Sequence, residues 1–130
     1  MSFGKHENKK DEKLVEVVTR VSELEQICEG DKEIYEALLQ TMFLDPRKID
    51  TPIKDAADNA KKLEKEKNLA RARIWYDIAG GLAIYQGNTK KVAEYFGESQ
   101  RISKTQYPIL KSTEKAVTKA QEYYKKYLKD

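Results

Sequence analysis

From Asp11 onward, apolar residues return at three- and four-residue steps. Leu14, Val17, Val18, Val21, Leu24 and Cys28 make one stripe on a predicted helix. Asp11 and Glu12 stand at its start, where negative charge favours the helix dipole. Gly30 supplies a left-handed cap at its end. Asp31 is placed to cap a second helix, with Ile34, Tyr35, Leu38, Leu39 and Met42 on its apolar side. Pro46 cannot continue that helix, so Asp45 to Asp50 reads as a turn. Thr51-Pro52 predicts a new start, with the Thr51 hydroxyl as cap and Pro52 in the first helical position. Ile53, Ala56, Ala57, Ala60 and Leu63 form the stripe of the third helix.

A helix from 52 to 86 would exceed the usual length of about 8–20 residues, which predicts a turn near 66–68 with Asn68 as the next cap. Helix four then runs from about 69 to 86, with Ala72, Trp75, Tyr76, Ala79, Leu82 and Ala83 facing inward. Gly80-Gly81 lies inside it and costs about 1 kcal/mol per glycine relative to alanine. Close approach of a neighbouring helix would offset that cost. Gly87-Asn88 marks the clearest turn. Helix five follows with Val92, Ala93, Tyr95, Phe96 and Ile102, and a break comes at Tyr107-Pro108. Helix six, about 109–128, carries Leu110, Ala116, Val117, Ala120, Tyr124, Tyr127 and Leu128. No alternating β-branched run stands beside a hairpin turn. The expected fold is all-α, with five to six antiparallel helices in helical hairpins, a small α-solenoid or bundle. Residues 1–10 are polar and without period and read as a disordered tail; 11–130 read as one helical domain.

The charge is divided along the chain. Residues 1–69 hold 13 basic and 16 acidic side chains, a net of −3, and residues 70–130 hold 12 and 6, a net of +6. The basic half has three kinds of natural counterpart: nucleic acid, an acidic protein, or the acidic half of another copy in a homo-oligomer. A single cysteine, Cys28, makes no internal disulfide and reads as a packing residue. With no apolar run long enough to cross a bilayer, and no signal-peptide core in the opening residues, a cytoplasmic protein is expected.

The chain is poor in catalytic chemistry. Its one histidine, His6, stands in the tail, which excludes histidine triads and multi-histidine zinc sites. P-loop and dinucleotide-binding glycine patterns are missing. Asp55 and Asp58 share a helix face but read as solvated carboxylates. We therefore expect no enzyme, metal or cofactor.

Residues 69–103 resemble a tetratricopeptide repeat, a family of paired antiparallel helices about 34 residues long. Trp75/Tyr76, Gly80, the Gly87-Asn88 turn, Val92-Ala93, Tyr95-Phe96 and Ser99 follow its order of aromatic, small and turn residues. An earlier echo follows the same offsets: Lys67-Asn68 as turn, then Ala72, Tyr76 and Ala79 against Val92, Phe96 and Ser99. The two turns are 20 residues apart, so the chain reads as a run of hairpins and not as a regular array. The resemblance implies that Phe96 is buried against helix four. It also implies a concave groove for a protein partner, faced by Ile74, Asp77, Gly81, Ile84 and Tyr85 of helix four.

Two functions follow as expectations. The first is a protein–protein interaction module, an adaptor or small subunit of a larger complex, whose partner meets Asp77, Gly81, Ile84 and Tyr85. The alternative is a nucleic-acid-binding helical subunit. Lys111, Lys115 and Lys119 recur every four residues as a basic stripe on helix six, and Tyr107, Tyr123, Tyr124 and Tyr127 intersperse the lysines of 101–129.

Overall fold

The computed structural model describes residue 19 and residues 21–128, and all of its regular structure is helical. Helix α1 covers residues 21–28 of that range. It is followed by α2 (Lys32–Thr41), α3 (Ile53–Lys65), α4 (Leu69–Gln86), α5 (Thr89–Ser103) and α6 (Thr113–Tyr127). Short 3-10 turns, Pro46–Lys48 and Pro108–Lys111, interrupt the α2–α3 and α5–α6 connections. The expected tail 1–10, and Leu14, Val17 and Val18 of the first stripe, lie outside the described residues.

Local chemistry sets most of the boundaries. Glu29 and Gly30 both take left-handed backbone, which turns the chain between α1 and α2. The Asp31 carboxylate then accepts from the Ile34 N–H and caps α2, an arrangement worth about 1 kcal/mol. Asp45 does the same for the first 3-10 turn through the Arg47 N–H. At the next start the expectation is corrected. Pro52 itself is the N-cap of α3, in extended backbone, and no side chain caps the helix. Helix six also starts later than expected: Pro108 opens a 3-10 turn that ends at Lys111, and the α-helix begins at Thr113.

The turns on either side of α4 repeat one design. Lys67 (φ +61°) and Gly87 (φ +72°) are left-handed. The next residue's N–H returns to a carbonyl five positions back: Asn68 to Leu63 and Asn88 to Ala83, at 2.9 and 3.0 Å. The asparagine side chain then caps the new helix, Asn68 on Arg71 and Asn88 on Lys91. With turns this short, α3, α4 and α5 run antiparallel in sequence. The 20-residue step between the turns also relates their buried faces. Ala60 and Gly80, Ala72 and Val92, Tyr76 and Phe96, and Ala79 and Ser99 are all buried pairs. Ala93, expected among the apolar positions of α5, is exposed.

A close approach in the core explains Gly80. A methyl group there would sit 2.6 Å from the Phe96 ring, well inside van der Waals distance. The ring is fully buried and stacks on Tyr107 of the α5–α6 connection, with centroids 5.7 Å apart. Helix α4 packs chiefly against α3 and α5, while α2, α6 and the first 3-10 turn lie on its remaining side. It is apolar on nearly every face, as a helix surrounded by others must be. The acidic half of the chain meets the basic half at two ion pairs, Arg101–Glu64 and Lys115–Asp31, both 2.7 Å.

Gly80→Ala raises helix propensity by about 1 kcal/mol yet is expected to destabilise the protein by about 1–3 kcal/mol, because the Phe96 ring has nowhere to move. Phe96→Ala alone is expected to cost about 3–5 kcal/mol. In the Gly80→Ala background, Phe96→Leu should cost less than it does alone, and urea titrations of the four proteins measure that coupling.

Candidate functional site

The side of α4 expected to form an open groove is covered by this chain's own elements. Asp77 accepts hydrogen bonds from the Ser99 hydroxyl at 2.6 Å and from the Tyr107 hydroxyl at 2.9 Å. Gly81 lies against the Thr41 carbonyl of α2, 3.7 Å from where its Cβ would be. The Tyr85 ring meets Tyr124 of α6 edge-on, with centroids 5.0 Å apart. Ile84 is fully buried, so its place on a partner-facing surface is corrected to a place in the core. The repeat-based reading treated helices four and five as a pair with one free side; α2 and α6 fill that side. Ile74 remains 53% exposed and Tyr85 39% exposed.

What stays open lies at the edge of this closure. A groove of about 890 Å³ runs between the α4–α5 turn and α6. Tyr85, Val117, Tyr124 and Leu128 give it an apolar lining, while Thr89, Gln121 and Lys125 are among its polar residues. Gln121 fixes the two walls together: its amide donates to the Ile84 and Tyr85 carbonyls at 2.6 and 2.9 Å, closing the C-terminus of α4. From Val117 to Leu128 the α6 wall spans roughly 16 Å at the rise of an α-helix. Of the residues expected to meet a protein partner, only Tyr85 lines this groove. The α6 residues Val117, Tyr124 and Leu128 are visible in the sequence as part of an apolar stripe, with Tyr124 also among the tyrosines that intersperse the lysines, and none of them is marked there as facing a protein partner.

Tyr124 also lines a second, much smaller cleft with Phe43, Leu44, Ile49, Ile78 and Gly81. Phe43 and Leu44 are 40% and 41% exposed, side by side in the connection after α2. Their sequence signal was an apolar pair directly before the Asp45-Pro46 turn, where a core function is hard to satisfy.

The three lysines of the expected stripe are not in one helical row. Lys111 ends the 3-10 turn, ahead of α6. Lys115 is paired with Asp31, and the Lys119 ammonium reaches Glu122 at 3.3 Å. Lys115, followed by the Ile34 N–H, holds the Asp31 carboxyl below its ordinary range. Tyr107, Tyr123 and Tyr124 are buried, with Tyr123 donating to Glu23 of α1. Their rings are packed between helices and are not presented for base stacking.

Two buried titratable groups have clear causes. Cys28 is enclosed at the end of α1, and burial pushes its thiol up. Tyr76 is pushed up to about 12 by burial and by its hydrogen bond to Glu64. Among the described residues no cluster of three or more histidine, cysteine or carboxylate side chains is arranged to hold a metal ion. No described helix is long and apolar enough to cross a membrane. Set against models of known families, curated proteins and solved structures, the chain matches none of them.

Asp77 offers a test of the covered side. Burial raises its carboxyl above the usual value, against the lowering effect of Ser99, Tyr107 and Arg73. A raised carboxyl favours the folded state most at acid pH, and that contribution is lost as pH rises through the native value. Between pH 4 and 7, wild type is therefore expected to lose stability relative to Asp77→Asn. Urea titrations of both proteins at the two pH values give the sign. A relative gain for wild type would mean that the hydrogen bonds outweigh burial.

Proposed function

We propose that the chain is a non-catalytic protein-interaction module, an adaptor or small subunit of a larger complex, that holds a protein partner in the groove between α6 and the α4–α5 turn. The observation that carries the reading is the groove itself: about 890 Å³, with the exposed Tyr85 ring beside the half-buried Leu128 and the buried Val117 and Tyr124. Aromatic side chains at the edge of a packed helix pair are common anchors for a partner. On this reading α3, α4 and α5 act as short tetratricopeptide-like hairpins whose concave side is closed by α2 and α6. The partner site then moves from the centre of α4 to its C-terminal end. A helical wall in α6, with no strand edge among the described residues, favours a docked helix or helix-bearing surface over an added strand.

Tyr85→Ala is expected to reduce partner retention by about tenfold, because it removes the ring that forms one wall of the groove. Stability should fall by no more than about 1–2 kcal/mol, since the ring is already partly solvated. The measurement is capture by tagged protein from a native lysate after nuclease treatment, with Lys61→Gln as a control on the outer face of α3. Equal retention by Tyr85→Ala and wild type would remove the groove from consideration. Loss of every partner on nuclease treatment would move the reading to nucleic acid.

A further inference from the structure

We draw no further inference here: the strongest candidate, the apolar groove between α6 and the α4–α5 turn, carries both Glu122 and Lys125 in its lining, and nothing in the structure shows what covers it.

Discussion

The Phe96 ring occupies the space that Gly80 leaves empty, and much of the architecture follows from that contact. With a Cβ at 80 the ring would have to retreat, and Tyr107 stacked on its other face blocks the way. The α4–α5 distance, the depth of Phe96 and the position of the α5–α6 connection are thus set together. Tyr107 extends the constraint through its hydroxyl, which receives a hydrogen bond from Arg73 at 2.8 Å and donates to Asp77. One glycine is in this way tied to the segment that delivers α6 to the outside of α4. The cost of a glycine in mid-helix, about 1 kcal/mol, is small beside the burial of a phenylalanine side chain that it permits.

The fold was largely legible in the sequence because its boundaries are made locally. Asn68 and Asn88 cap helices through their own side chains, and Gly87 adopts the left-handed backbone that its type favours. Lys67 was harder to read. It holds the same left-handed conformation at a cost of about 1–2 kcal/mol, and the turn was marked by the excess length of a 52–86 helix and by Asn68, not by Lys67 itself. Thr51 misled because a hydroxyl before a proline is a good cap on average, whereas here Pro52 takes the cap position in extended backbone. The site was much less legible. Ile84 and Tyr85 are neighbours in sequence, yet one is in the core and the other forms a groove wall. The difference depends on where α6 lies, which is a tertiary fact. No local pattern in residues 69–103 announces that a helix forty residues away will close the free side of α4.

The charge asymmetry illustrates the same limit. Read along the chain, a basic half looks like a surface awaiting an anionic partner. In three dimensions Arg101 and Lys115 turn back onto Glu64 and Asp31 and join the halves at two places. Exposed pairs of this kind contribute little stability each, typically below about 1 kcal/mol. Their effect is on arrangement: Lys115–Asp31 sets α6 against the start of α2, and Arg101 links α3 to α5 across α4.

These constraints explain why the open surface lies where it does. Helix α4 is apolar over most of its surface, so most of it has to be covered, while Leu69, Ile74 and Tyr85 stay exposed. Helices α3 and α5 cover two sides by the Ala60 and Gly80 type of close packing, in which small residues admit large ones. The third side is covered by α2 and α6, which come from opposite ends of the described chain. They meet at Tyr124, and the junction leaves Tyr85 and Leu128 on one flank and Phe43 and Leu44 on the other. Covering a long apolar helix with two shorter ones leaves unfilled edges beyond their junction. The open apolar surface is therefore a consequence of how α4 is enclosed, and its apolar character comes from the same side chains that hold the enclosing helices in place.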